Sequence, residues 1–229
     1  MQMSFVYEIA LTGPQPQADK ARGWSRGALA EASARHAAPM TLDVYRPADG
    51  THDPYNKDEG PPLLIVIAEF ETLEDLRDGA EALVKGLAHL PPALNASVTA
   101  MERRFYPVAD QVTPGPLTAP FSYVVRYHRP ADDEAAFVAH YVADHPRLEA
   151  RFPRIRSIMC YLPIDHGASN RFPAAAYMLG NEVAFDSVAD FNAAMQSPVR
   201  HEMRAHFHSF PKFSGAVTHF AMLRERLVG

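Results

Sequence analysis

Ala68-Glu69-Phe70-Glu71-Thr72-Leu73-Glu74-Asp75-Leu76 and Val183-Ala184-Phe185-Asp186-Ser187-Val188-Ala189-Asp190-Phe191 carry the same corner at an offset of 115 residues. In each, a phenylalanine closes an apolar run, an acidic and a hydroxyl residue follow, and an aspartate stands three places after the hydroxyl. This predicts a strand that stops, a Thr or Ser N-cap, and a helix with the aspartate at its third position. Outward from the first corner, hydrophobic periodicity predicts strands at 4–12, 40–45, 63–70 and 97–106 and helices at 19–35 and 73–90. Around the second it predicts strands at 121–128, 157–162, 175–185 and 216–223 and helices at 133–152 and 188–207. The order is βαββαβ twice. Between the copies, residues 107–120 carry Pro107, Pro114, Pro116 and Pro120 with Gly115, which blocks both helix and central strand and predicts a linker. The expected fold class is therefore α+β, with tandem ferredoxin-like repeats at 1–110 and 120–229 joined by a linker at 111–119. Each sheet would leave one apolar face beyond its two helices. Packing the two sheets against each other covers both faces and gives an intrachain α+β barrel.

The 229 residues, 47% hydrophobic and 21% charged, suffice to bury a core without disulfides. The one cysteine, Cys160, cannot form an internal bridge, and the N-terminal stretch lacks the basic region of a secretory leader. No apolar run is long enough to cross a membrane as a helix. A cytoplasmic protein is expected. A net charge of -5 argues against nucleic-acid or membrane partners, which call for a basic surface.

The halves differ in chemistry. Residues 1–114 hold 10 Lys/Arg and 16 Asp/Glu, whereas residues 115–229 hold 12 and 11. Eight of the eleven histidines (128, 140, 145, 166, 201, 206, 208 and 219) lie in the second half, where proton chemistry near neutral pH is therefore expected. Phe137, Tyr141, His145, Leu148 and Phe152 recur at helical spacing, so His145 belongs to the inward stripe of its helix. It reads either as a general acid or base facing a pocket or as a core histidine bonded to a carbonyl. Pro146 allows a kink beside it, with Asp144 as a cap. Glu182, on an otherwise apolar strand, is the expected orienting carboxylate, because a buried glutamate needs a partner. Tyr141 could donate to a developing oxyanion or be an amphipathic core residue. Arg126 and His128 share one face of their strand and Tyr123 and Tyr127 the other; an inward Arg126 would suit a carboxylate or phenolate. His140, His206 and His219 complete the expected substrate-contacting set of Tyr123, Arg126 and His128. No metal site is expected, since His201 and His206 are five apart, about 140° around a regular helix. No nucleophile elbow, phosphate loop or dinucleotide fingerprint occurs.

From Phe121 onward the chain resembles the ethyl tert-butyl ether degradation (EthD) family of the dimeric α+β barrel superfamily. The resemblance rests on Tyr127-His128-Arg129-Pro130, on Phe137, His140-Tyr141 and His145-Pro146-Arg147-Leu148, on Phe152-Pro153-Arg154-Ile155, and on Glu182-Val183-Ala184-Phe185-Asp186-Ser187. Ala184 and Tyr141 stand where the family usually has an aromatic residue and often has Trp, departures expected to widen the pocket. The first half lacks the His motif, with Ala30 and Ile67 at the positions offset from His145 and Glu182, and reads as a scaffold copy.

The resemblance implies an enzyme of small aromatic or hydrophobic metabolites. Its relatives include cofactor-free isomerases, decarboxylases, dehydratases and monooxygenases and, more distantly, haem-binding chlorite dismutases and peroxidases. The leading expectation is a cofactor-independent lyase, dehydratase or isomerase of catabolism, with His145 as acid or base, Glu182 as its orienter and Tyr141 as polariser. The rivals are a haem-dependent or cofactor-free oxygenase and a non-catalytic ligand-binding protein. The partner is a small-molecule substrate, and helix faces or strand edges leave room for a homodimer.

Overall fold

The computed structural model describes residues 3–34, 39–56, 60–108, 117–165 and 172–229. Most of the expected linker and His166 lie outside these residues. Strands β1 (Met3–Thr12), β2 (Thr41–Pro47), β3 (Leu64–Phe70), β4 (Asn95–Tyr106), β5 (Phe121–His128), β6 (Ser157–Pro163), β7 (Tyr177–Phe185) and β8 (Val217–Val228) are all antiparallel to their neighbours. They close a barrel in the order β1-β3-β2-β8-β5-β7-β6-β4. Within it the first four strands run β4-β1-β3-β2 and the last four β8-β5-β7-β6, the same spatial order. The two groups of four strands join by their edges, through β2 with β8 and β4 with β6, into one barrel whose interior both line. Closure removes every exposed edge.

The helices lie outside. A segment from Gln15 to Ala32 comprises a 3-10 turn, α1 (Ala18–Trp24), a π-helical stretch at Ser25–Leu29 and α2 (Ala30–Ala32); α3 (Leu73–Leu87) completes the cover of the first half. On the second half lie α4 (Glu134–Glu149), α5 (Val188–Met195) and α6 (Pro198–Phe207). Both quoted corners form as their sequences predict: the Asp75 and Asp190 amides donate to the Thr72 and Ser187 hydroxyls, each at 3.1 Å. Two expectations change. The single helix at 188–207 breaks at Ser197, which is extended (ψ 157°) because the residue before a proline is disfavoured in α conformation, and Pro198 opens α6. Helix α4 runs through Pro146, and its cap is Asp133 rather than Asp144; Asp133 accepts from the Ala136 amide at 2.9 Å.

Strand alternation sorts the buried residues into three groups. One apolar cluster lies under the first-half helices, a second, rich in aromatic side chains, lies under α4–α6, and a third fills the barrel. The barrel interior also holds charge. Arg126 pairs with Glu8, Arg103 with Glu69, and Asp43 with Arg224 and Arg226. The polar interior and the aromatic outer face are separated by one thickness of sheet, and side-chain parity decides which a residue enters.

Candidate active site

Between α4, α6 and the outer face of β5, β7 and β8 lies a pocket with about 650 Å³ of unfilled space, part of it open to solvent. The cavity volume proper is about 80 Å³, so the walls lie close together. Tyr123, Tyr127, Tyr141, Phe152 and Phe207 make its walls largely aromatic. His145 and Glu149, one turn apart on α4, lie at its inner end, both buried, with His145 Nε2 3.8 Å from Glu149 Oε1. Asn181 on β7 donates from Nδ2 to Glu149 Oε2 at 3.0 Å. On the other side, His145 Nδ1 lies 3.0 Å from His206 Nδ1, so one ring donates to the other. His206 is partly exposed and stacks on His140, centroids 5.4 Å apart, so the buried pair has a route of imidazoles toward the surface.

The electrostatics leave this inner end uncharged near neutrality. Burial raises the Glu149 carboxyl to about 8, against the pull of the Asn181 hydrogen bond. Burial, then the neighbouring His206, Arg200, His140 and His219, hold the His145 imidazole well below its usual range. The pair thus offers a carboxyl that keeps its proton beside an imidazole that lacks an extra one, two groups whose environments suit them to acid and base work. Tyr141 packs its ring 4.3 Å from that of His145 and hydrogen-bonds the Tyr127 hydroxyl, and burial keeps its phenol protonated.

The raised Glu149 carboxyl has a measurable consequence. The unfolded carboxyl ionises from about 4.5 upward while the folded one keeps its proton to about 8, so the stability linked to that proton is lost as pH rises through about 8. Chemical denaturation of the wild type between about pH 6.5 and 8.5 should show a loss of roughly 2 kcal/mol that Glu149→Gln removes. Equal slopes in the two proteins would place the Glu149 proton elsewhere.

The structure brings His145, Tyr141, Tyr123, His206 and His219 to this region and puts three expected residues on the other side of the sheet. Glu182 does not orient His145. It points into the barrel, where Ser122 Oγ and the Tyr161 hydroxyl each donate to it at 2.5 Å. Strand β7 is buried on both faces, and its neighbour Asn181 faces the pocket instead. Arg126 is also interior, bonded to Glu8 and to the carbonyls of Val125 and Asn181 at 2.9 and 3.3 Å, so it is committed to the fold. His128 sits toward one end of the barrel, 3.4 Å from the Thr218 hydroxyl and 5.0 Å from the Tyr177 ring centroid. Ala184 is interior too, so its small side chain does not widen the pocket. His140 stands behind His206 rather than in the lining, and His219 stacks on Tyr123 at 5.8 Å. His201 turns away from His206 to meet the Tyr55 hydroxyl at 2.5 Å.

The first half contributes to the site as well as to the scaffold. The connection after β2 crosses the pocket mouth, where Asp53 accepts from Arg200 Nε and Nη2 at 3.0 and 2.8 Å and from the Tyr123 hydroxyl at 2.7 Å. Burial pushes the Asp53 carboxyl up, but Arg200 and Tyr123 together hold it below its usual value. Beside it Tyr55 lines the pocket under the Arg200 guanidinium, 4.9 Å from the ring centroid. Nothing in the local pattern of this loop marks it as part of a site 70 residues away. Glu149 had a signal, an acidic residue four places after His145 on the same stripe.

No protein-family model matches the sequence, and neither does any curated protein. Solved structures do match it along nearly its whole length. An anthrone oxidase-like protein is 13% identical, with a TM-score of 0.63 over 99% of this chain and 94% of that one. A chlorite dismutase from Candidatus Nitrospira defluvii is 12% identical, with a TM-score of 0.55 over 96% and 90%. A monooxygenase-like protein from Lactobacillus acidophilus NCFM is 11% identical, with a TM-score of 0.52 over 98% and 94%. What they share with this chain is the α+β barrel fold. At such identities the likeness does not extend to the reaction.

Haem, which the sequence resemblance keeps as an alternative, needs an imidazole nitrogen facing open space for the iron. Around His145 the fit is poor: Nδ1 is engaged by His206, and the space before Nε2, with Glu149 Oε1 at 3.8 Å and the Tyr141 and Phe210 rings at 4.3 and 5.3 Å from the imidazole, is too narrow for a macrocycle. Among the described residues no group of three or more His, Cys, Asp or Glu converges as metal ligands, and no helix is long and apolar enough to cross a membrane.

Proposed function

We propose that this protein is an enzyme that moves a proton on a small aromatic molecule bound between α4, α6 and the sheet. The observation that carries this reading is the buried His145–Glu149 pair in an aromatic pocket, one member without an extra proton and the other still holding one. The substrate proton passes to His145 Nε2, and the proton on Nδ1 leaves through His206 toward solvent. Tyr141 and Tyr127 supply neutral hydroxyls near the anion that forms, and the aromatic walls keep water from it.

The similar structures named anthrone oxidase-like and monooxygenase-like favour an oxidative outcome. There, a methylene between two aryl rings loses a proton to His145 and the carbanion reacts with dioxygen; overall, CH2 and O2 become C=O and H2O, a four-electron oxidation matched by reduction of O2. The second reading, a lyase, dehydratase or isomerase, is supported by the Glu149 proton, which can return to another atom of the same anion. Incubation with anthrone separates them. Oxygen consumption with equimolar anthraquinone supports the oxidase, anaerobic exchange of the methylene protons with D2O but no oxygen uptake supports the second class, and binding without either supports a ligand carrier.

We also read the halves as tandem ferredoxin-like units dividing near residue 114, supported by their common strand order and the two capped corners. The EthD-like motifs of the second unit support a resemblance to that family. A cytoplasmic location and a homodimer remain part of this proposal.

A further inference from the structure

The pocket carries charge that the proposed proton transfer does not use. Its inner end is neutral, yet helix α6 presents Arg200, Met203, Arg204 and Phe207 to it at helical spacing. The two arginines differ in their commitments. Arg200 is bound in bidentate fashion by Asp53. Arg204, half-buried, has its guanidinium 5.6 Å from the Tyr55 ring centroid and 5.2 Å from that of Phe207, and among the described residues it has no carboxylate partner. Two carboxylates of this region are taken: Glu202, on the same helix, pairs with Arg151, and Asp53 with Arg200. Aromatic faces hold a guanidinium in place without neutralising it and leave its forked N–H donors available. Such a planar, fixed cation matches the two oxygens of a carboxylate.

We infer that Arg204 is the anion-recognition residue of this pocket and that its ligands are aromatic acids, with the ring system among Tyr123, Tyr141 and Phe152 and the carboxylate at the mouth on Arg204. The layout also orients the ligand. A carboxylate directed inward would meet the neutral but buried Glu149 and no cation, so the charged end stays at α6 and the uncharged end is delivered to His145. This rests on the pocket being the substrate site, as proposed above, but the test reads binding rather than turnover.

The full chain is titrated by fluorescence with 2-anthracenecarboxylate and its neutral isostere 2-anthracenecarboxamide. Wild type is expected to bind the acid at least about tenfold more tightly than the amide, a preference weakened by salt. Arg204→Gln should bring the acid to the affinity of the amide and leave the amide unchanged, while Arg204→Lys keeps part of the preference. The Gln variant lies on a partly exposed helix face, and an unchanged circular dichroism spectrum with unchanged amide binding shows that the pocket persists. Equal binding of acid and amide by wild type, or an acid preference that survives in Arg204→Gln, overturns the inference. Arg204-dependent selectivity without any turnover leaves the inference standing and defeats the proposed catalysis; turnover without selectivity does the reverse.

Discussion

His145→Gln is expected to leave the barrel folded and to lower kcat/KM by about 10²- to 10⁴-fold, the usual contribution of a positioned acid or base. Glutamine keeps a polar end that can still meet His206, so the buried donor and acceptor nearby are not stranded, and the loss falls on proton transfer. The pH profile carries a second signature. Activity requires neutral His145, which burial secures across the physiological range; where Glu149 returns the proton, a descending limb appears near pH 8, and Glu149→Gln lowers activity throughout and leaves a residual rate without that limb. The two groups face each other, so the limbs belong to the pair rather than to either residue. Oxygen uptake or methylene exchange, measured beside circular dichroism, decides it: full activity in His145→Gln would remove the histidine from the mechanism.

The fold was legible because its signals are local. A hydroxyl three residues before an aspartate, after an apolar run, can do little but cap a helix, and two such corners at one offset disclosed the repeated order. Closure was less legible, since the pairing of β2 with β8 and of β4 with β6 depends on edges more than 50 residues apart in sequence. In the site, His145 and Tyr141 could be read because a helix with one wet face has a clear period. Glu182 was misassigned because β7, Tyr-Met-Leu-Gly-Asn-Glu-Val-Ala-Phe, is buried on both sides, and a strand without a wet face gives no parity. One residue of register separates Asn181 in the aromatic pocket from Glu182 in the barrel. Asp53 and Tyr55 reach the mouth only because the barrel brings the β2–β3 connection over α6, a placement no local pattern encodes.

The same parity makes Arg126 a test of the barrel itself. It lies fully buried on β5, and its partner Glu8 comes from β1, a strand that is not its neighbour in the sheet order, so the pair spans the interior and ties the two halves together. Burial opposes the guanidinium charge, but the Glu8 carboxylate more than offsets it, and the Tyr161 and Tyr177 rings flank it with centroids at 4.9 and 5.8 Å. The site is tailored on its other side as well: a Cβ on Gly180 would come within 3.0 Å of Arg126 Nη1 and of the Tyr161 Cβ, so the strand leaves that position bare. Arg126→Met strands Glu8 in a dry interior and should destabilise the protein by about 3–5 kcal/mol. In a chain of this size that lowers Tm by roughly 10 °C. Adding Glu8→Leu removes the stranded charge and should restore most of the loss, because two apolar side chains of similar volume need no desolvation. Thermal unfolding of the single and double variants separates this role from substrate binding. If Arg126→Met keeps wild-type stability and loses ligand affinity instead, the guanidinium belongs to a binding site and the interior pairing with Glu8 is not what holds it there.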